Sequence, residues 1–280
     1  MNEAAAHCLL EIVSSLDGQG SLRPTFPMHE NRSGIEYVLW ALHLIPSLVI
    51  RGRPSAIIHP KLWISRSSSC LSIAIDSLRQ ERWVSPLYPP FLDLLRAKPE
   101  GYSIEDVLAT VQTLLLYMMT FLFGRDADVH TTAKSYFTLL AEWVELLETR
   151  AHNITTQGLS PWQGWLFGES TRRTILVAHI LTCVYFSEKY NHPSKKLRME
   201  ALPFDARAGL WLAESSQAWI SAAGAKRGGD VQTELVSWHE FSNARPRLPM
   251  GSDDDIFLAM MLVAHNGKAK VRVDKENSTA

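Results

Sequence analysis

Cysteine is scarce in this sequence of 280 residues, which contains only three. Cys8, Cys70 and Cys183 lie far apart and form no C-x-x-C pair. A cysteine zinc site needs closely spaced ligands, and a disulfide framework needs an even set of cysteines. The sequence therefore excludes both, and its cysteine usage is typical of a reducing compartment.

An excess of either charge is also missing, since the formal net charge is -1. The longest runs of like charge are Lys195-Lys196 and Asp253-Asp254-Asp255. A protein that binds nucleic acid or an anionic membrane by electrostatics carries a basic patch or stripe. We therefore expect no direct contact with nucleic acid.

Long hydrophobic runs and targeting signals are absent as well. The longest apolar stretches, 108–123 and 175–186, are short for a bilayer and contain Gln112 or His179. The N-terminus has no basic region before its apolar residues, unlike a secretory signal. We expect a soluble intracellular protein with no membrane contact, cytoplasmic if it is an enzyme and nuclear if it is regulatory.

Common catalytic motifs are missing too. The ten histidines include no H-x-x-x-H or H-E-x-x-H pair, and neither G-x-S-x-G nor a phosphate-binding glycine loop occurs. We therefore expect no metal ion and no cofactor, and the hydrolase and nucleotide-binding classes are disfavoured.

The most widespread pattern in the sequence is the helical spacing of its apolar residues. Hydrophobic residues make up 46% of the chain, and no segment alternates with a period of two over six residues. The sequence predicts an all-α fold, one irregular multi-helix domain over 1–280 with eight to ten helices and a frayed tail at 268–280. The predicted helices include 4–16, 35 to about 45, 69–82, 91–96, 104–123, 126 to about 150, 207–223, 231–241 and 256–264. Ser103 is placed as the N-cap of the helix 104–123, with Asp106 three residues on and Gly124 just past the end.

The most distinctive segment is the predicted helix 160–190, which we expect to be central and buried. Ser160 is placed as its N-cap, Pro161 as its first residue, and Gln163 completes a capping box. Its second half is apolar on almost every side, as in a helix surrounded by protein. Proline and glycine predict two breaks elsewhere: Pro46 ends or kinks the helix that begins at Ile35, and Gly224 ends the helix 207–223.

Several motifs occur in an order that resembles the fungal-specific transcription factor domain, the helical module of zinc-cluster regulators. IPSLVIRGRPSAIIHP is similar to that family's Y-P-x-M-x-L and L-P-P-F-I-H-P element. Further motifs are W-x-x-W, ES-x-RRT and H-I-L within 162–185, followed by LPFDARAGLWLAES. The resemblance covers about 42–240 and implies an all-helical fold.

The family's usual zinc cluster of six cysteines cannot be built from the three cysteines of this sequence. We therefore expect that the chain does not bind DNA by itself. The resemblance allows two functions. The preferred one is a cofactor-independent isomerase or cyclase of fungal specialised metabolism, like stand-alone proteins similar to this module that act on chalcone-like phenolic substrates. The other is a regulatory module that acts through a protein partner or a small ligand; a homodimer is compatible with either.

The isomerase hypothesis needs acid–base groups beside an apolar pocket. Its candidate catalytic residues are His43 for proton transfer, Arg51 to hold an anionic oxygen, and His179. Each has an ordinary alternative: His43 as a histidine at the surface edge, Arg51 in a surface salt bridge, and His179 as a hydrogen-bonded core histidine.

The candidate substrate-binding residues are aromatic or lie in apolar helices, and the expected ligand is a small aromatic metabolite. Core packing explains most of the nine tryptophans equally well, and helix-to-helix hydrogen bonds explain Tyr117. The candidates are His29 at a pocket mouth, together with Trp40, Tyr117, Trp165 and Trp211.

The charges of the central helix have a structural interpretation. Glu169 and Arg173 are four residues apart in the favourable order, which predicts an intrahelical ion pair. Arg172 points elsewhere and is expected to pair with another helix.

Overall fold

The computed structural model describes residues 34–64, 69–79, 101–122, 136–152, 158–190, 199–207, 209–227, 234–244 and 256–266. Most of these residues are helical, which confirms the all-α prediction. The helices are α1 (Gly34–Ile50), α2 (Pro60–Ile64), α3 (Ser69–Arg79), α4 (Ile104–Phe121), α5 (Phe137–Ala151), α6 (Pro161–Tyr190), α7 (Ser216–Arg227), α8 (Trp238–Ala244) and α9 (Ile256–Asn266).

Helix α4 begins where its capping residues predict. The Ser103 hydroxyl accepts from the backbone N–H of Asp106 at 3.2 Å, and the Asp106 carboxylate accepts from the Ser103 N–H at 3.1 Å. Two of the N–H groups that have no partner inside the helix are thereby satisfied. From Val107 to Met119 the side chains of α4 are all buried, so this helix runs through the main core.

Helix α6, with 30 residues, also begins as predicted. The Ser160 hydroxyl accepts from the Gln163 N–H at 3.3 Å, while the Gln163 side chain accepts from the Ser160 N–H at 3.2 Å. All side chains from Trp165 to Leu181 are buried except the partly exposed Arg172 and His179, which confirms the expected central position of this helix.

Pro46 does not end α1, which excludes one of the two outcomes expected from the sequence. The helix continues to Ile50 with Pro46 inside it. Ile45 and Val49, on either side of the proline, are buried in the core. Their burial favours continuation of the helix and overrides the local cost of the missing N–H. The chain then turns at Gly52, where φ is +66°, a conformation that favours glycine.

The segment between α6 and α8 differs most from the predictions. The predicted helix 207–223 is confined to α7, and Gly224 lies inside α7 instead of ending it. In the described part of the predicted helix 231–241, a short strand is followed by α8. Strands β1 (Pro203–Asp205) and β2 (Leu235–Ser237) pair antiparallel, with Phe204 opposite Val236. This sheet is a small addition to a helical fold.

The described helices pack around α4 and α6. Helix α4 contacts α1, α3, α5 and α6, while α6 also contacts α5, β1 and α2, and α9 covers α1. The main core is apolar, and a second cluster rich in tryptophan lies at the N-terminal part of α6. In the part of the chain that the structure describes, no helix is long and apolar enough to cross a bilayer. The predicted helices 4–16 and 91–96, most of 126–136, and the tail 268–280 lie outside the described residues.

Candidate functional site

A buried carboxylate, Glu169, lies at the centre of the N-terminal half of α6. Its side chain is fully buried and accepts from Arg173 Nε at 2.8 Å and from Arg172 Nε at 3.1 Å. It also accepts from the backbone N–H of Asp205 at 3.1 Å. The predicted pair of Glu169 and Arg173 is confirmed. The prediction for Arg172 is wrong, because its guanidinium turns back one helical turn to the same carboxylate.

A second buried carboxylate, Asp205, joins this network from β1. Its side chain accepts from the indole N–H of Trp165 at 3.1 Å and from Arg207 Nε at 2.9 Å. The hydrogen bond to the Asp205 side chain raises the pKa of Arg207. Glu169 and Asp205 thus connect the central helix to the small sheet through charge-assisted hydrogen bonds.

The guanidinium of Arg173 is almost fully buried, and aromatic rings cover it. Its Cζ atom lies 4.3 Å from the centroid of the Trp211 ring and 4.5 Å from that of the Phe257 ring. Such cation–π contacts stabilise a desolvated cation. Arg173 therefore connects α6 with α9 and with the turn that precedes α7.

The second cluster brings together four tryptophans and a histidine from distant parts of the chain. The centroid of Trp165 lies 6.5 Å from that of Trp211 and 5.9 Å from that of Trp219. The ring of His59 meets Trp211 edge-on at 5.5 Å and Trp162 at 6.3 Å. We call these five residues the aromatic cluster. Two of its members, Trp165 and Trp211, are predicted substrate-binding residues.

The indole groups of Trp165 and Trp211 are engaged in the fold. The Trp165 N–H donates to Asp205, as described above, and the Trp211 N–H donates to the Ser55 carbonyl at 2.7 Å. Ser55 belongs to the turn after α1, where its hydroxyl accepts from the Ile58 N–H at 3.0 Å. These bonds fix the turn that carries His59 against α6.

His59 is buried and uncharged at neutral pH. Burial lowers its pKa to about 4; the charges of Arg173 and Lys61 act in the same direction, and the Ala213 backbone opposes them. Its Nδ1 accepts from the backbone N–H of Lys61 at 3.2 Å. Because a neutral imidazole carries one proton, that proton lies on Nε2, which is therefore a donor.

Three donors of the aromatic cluster have no acceptor within hydrogen-bond geometry among the described residues. They are His59 Nε2, Trp162 Nε1 and Trp219 Nε1, all of them buried. The Ala213 backbone is near enough to His59 to raise its pKa but does not meet that geometry. Buried polar groups without partners are rare in folded proteins, and each costs about 1–3 kcal/mol. Their concentration in one small cluster distinguishes this region from the core around α4.

Within the described part of the main core, a polar network is built around Gln112 of α4. The Gln112 amide donates to the Ile57 carbonyl at 2.9 Å and to the hydroxyls of Ser170 and Thr174 at 3.0 and 3.2 Å. Ser170 donates to the same Ile57 carbonyl at 2.8 Å. This network holds α4, α6 and the turn after α1 together.

The predicted catalytic residues fall in separate environments. Arg51 is exposed at the end of α1. His179 is part-buried on α6, where its Nε2 lies 2.8 Å from Glu148 Oε1 of α5. His43 belongs to α1, but its side chain lies outside what the structure describes. The catalytic roles stay predictions, since nothing in these contacts tests them.

Of the remaining predicted binding residues, the structure describes the side chain of Tyr117 alone, which lies apart from the aromatic cluster. Tyr117 is buried in α4, and its ring meets Tyr136 edge-on at 5.9 Å. Burial, with a smaller contribution from Tyr136, raises the pKa of Tyr117 to about 12. His29 and the side chain of Trp40 lie outside the described part. Their binding roles, like those of Trp165 and Trp211, stay predictions.

The sequence reasoning did not select His59, Trp219 or Asp205 as site residues. A signal existed for His59, because it ends an apolar run before a proline, within the motif that carries the family resemblance. For Asp205 and Trp219 the sequence offers no local signal, since their partners lie on α6. In the part of the chain with described coordinates, no group of three His, Cys, Asp or Glu side chains is placed to hold a metal ion.

Comparisons with known proteins give one informative match. No family model matches the chain, and no solved structure matches it either. The chain is 26% identical over 229 residues to the transcription factor gsfR2 of Penicillium aethiopicum, an alignment that covers 74% of this chain and 54% of that protein. The chain thus spans about half the length of the curated relative it matches. Over most of its own length, it is similar to a fungal transcription factor.

Proposed function

We propose that this chain is the effector module of a transcription regulator and that it acts through a protein partner or a small ligand. The observation that carries this proposal is the similarity to the transcription factor gsfR2 over 74% of the chain. In this proposal a partner protein supplies the contact with DNA, and the chain works in the nucleus.

The organisation of the charged residues supports a module of this kind. Glu169, Arg173 and Asp205 are buried and bonded to one another or to aromatic groups. Side chains that hold helices together in this way are not available to bind or protonate a substrate. The central charges therefore serve to position α6 and the aromatic cluster.

A reporter assay tests the regulatory function directly. The chain is fused to a heterologous DNA-binding domain and expressed with a promoter that carries the matching site. We expect the fusion to change transcription, and we expect a fusion with Glu169→Gln to lose this effect because the fold is weakened. Glu145→Gln, which removes an exposed carboxylate from α5, is the matched control and should keep it. A wild-type fusion that folds, reaches the nucleus and leaves transcription unchanged would contradict the proposal.

Deletion of the gene separates the regulator from the isomerase. A regulator predicts that transcripts of its target genes change, and that the chain co-purifies with a DNA-binding protein such as a zinc-cluster factor. An isomerase predicts unchanged transcripts together with the loss of one product isomer. The isomerase hypothesis gains no support from the comparisons and stays a prediction.

A further inference from the structure

The aromatic cluster contains hydrogen-bond donors that the fold itself does not use, as a ligand site does. His59 Nε2 and Trp162 Nε1 are buried donors without an acceptor in the described part, and their rings are neighbours with centroids 6.3 Å apart. Trp219 contributes a third such donor at the other end of the cluster. All three groups can donate a hydrogen bond and none can accept one here. A ligand that satisfies them must therefore carry acceptor atoms such as oxygens.

The charges around these donors favour an anion. The charge of Arg173 acts on His59, and Arg173 belongs to a network whose three arginines exceed its two carboxylates by one. The exposed Lys61 adds a further positive charge beside His59. Trp162 is the second residue of the long helix α6, and the N-terminus of a helix also attracts negative charge.

The rings determine the shape of the ligand, and the position of Trp162 indicates the access route. Trp211 is buried, whereas Trp162 is only part-buried and follows the exposed Pro161. Trp162 thus lies at the solvent-facing edge of the cluster, with the buried His59 behind it. Flat aromatic surfaces favour stacking or edge contacts with a planar ligand.

We propose that the aromatic cluster binds a planar aromatic carboxylate or phenolate, whose oxygen accepts hydrogen bonds from His59 Nε2 and Trp162 Nε1. The regulatory meaning of this site rests on the proposed function, because such a ligand would be the effector of the module. Binding itself does not depend on that function and is measured on the purified chain.

The probe is 2-naphthoate, and its neutral analogue 2-naphthamide tests the role of charge. Titration calorimetry and tryptophan fluorescence should give saturable binding at one site, at least tenfold tighter for the carboxylate than for the amide. Trp162→Phe should weaken binding at least tenfold. Because this indole N–H bonds no described residue, its removal leaves the fold intact.

Variants of His59 give a second and independent measurement. His59→Phe removes the Nε2 donor and should also weaken binding at least tenfold, whereas His59→Gln keeps an amide donor near the Nε2 position and should restore part of it. His152→Phe, at an exposed histidine on the far end of α5, is the matched control and should bind like the wild type. Circular dichroism establishes that each variant is folded.

Three results would overturn the proposal. The first is no binding of 2-naphthoate at millimolar concentration, and the second is equal binding by the wild type, Trp162→Phe and His59→Phe. The third is a crystal structure, grown with the probe, in which water alone bridges His59 and Trp162. If the reporter fusion has no effect while 2-naphthoate still binds, the regulatory function is refuted and the ligand site stands. If the fusion changes transcription while 2-naphthoate does not bind, only the ligand site is refuted.

Discussion

Replacing Glu169 by glutamine tests whether the buried ion network holds the central helix. Glutamine has nearly the same shape but no charge, so the guanidinium of Arg173 loses its partner while it stays buried. The side chains of Glu169 and Arg173 are 0% and 1% exposed. Removing one partner of such a buried pair costs about 3–5 kcal/mol.

The contribution of Arg172 to this cost is smaller. Its side chain is 23% exposed, and solvent can replace the carboxylate that it loses. The loss at Arg173 therefore dominates, and Glu169→Gln should lower the free energy of unfolding by about 3–5 kcal/mol. For a chain of this size that corresponds to a fall in the melting temperature of roughly 10 °C.

Urea unfolding followed by circular dichroism measures the difference against Glu145→Gln. The control removes the same charge from an exposed position of α5, and should change stability by less than about 0.5 kcal/mol. A double variant, Glu169→Met with Arg173→Met, removes both charges and should be less unstable than the sum of the two single variants. Equal stability of Glu169→Gln and Glu145→Gln would refute the reasoning.

Three further perturbations have outcomes that follow from the same contacts. Trp211→Phe should cost roughly 1–3 kcal/mol more than Trp219→Phe in urea unfolding, because only the Trp211 N–H donates, to Ser55; equal costs would contradict this. The pKa of His59 is about 4 in the folded chain and 6.5 in the unfolded chain, so the unfolded chain binds a proton more readily. The free energy of unfolding should therefore fall by roughly 3 kcal/mol as the pH drops from 6.5 to 4. His59→Phe should lose that part of the acid dependence, and an unchanged profile would show that His59 is not its source. Gln112→Leu should lower the free energy of unfolding by roughly 1–3 kcal/mol, since acceptors in the turn after α1 and on α6 lose their donor; wild-type stability would argue against the network.

Local signals explain what the sequence could predict about the fold. The capping boxes of α4 and α6 each lie within four residues, so their side chains and backbone partners are adjacent before the chain folds. The pair of Glu169 and Arg173 is local in the same sense. Contacts between residues this close along the chain can be predicted from the spacing of residue types alone.

Features that depend on distant partners were predicted wrongly or not at all. Helix α1 continues past Pro46 because the core buries the residues around it. The strands β1 and β2 have three residues each, too short for an alternating pattern, and each is stabilised by the other. The pairing of Arg172 with Glu169 is an exception, because it is local and was nevertheless not predicted; the carboxylate has an oxygen for each guanidinium.

The candidate site likewise combines features that the sequence could predict with features that only the folded chain reveals. Of the predicted binding residues, Trp165 and Trp211 lie in one cluster, Tyr117 lies in the main core, and the side chain of Trp40 lies outside the described part. His59 was not selected as a site residue, because its importance comes from unpaired donors that only the folded chain reveals. The sequence could indicate the aromatic surface, whereas the polar atoms within it required the structure.

His179 is the residue on which the isomerase hypothesis and the regulator proposal differ most clearly. Its ring lies 2.8 Å from the Glu148 carboxylate and joins α6 to α5, which is sufficient reason for a histidine at that position. We therefore expect purified protein to leave the cyclisation of a 2′-hydroxychalcone at its uncatalysed rate, followed by absorbance. A rate above that of buffer, lost in His179→Gln but kept in the exposed control His152→Gln, would instead make His179 a proton-transfer group. In that event the pair with Glu148 would orient the imidazole, as a carboxylate orients histidine in other acid–base sites, and the isomerase hypothesis would replace the regulator.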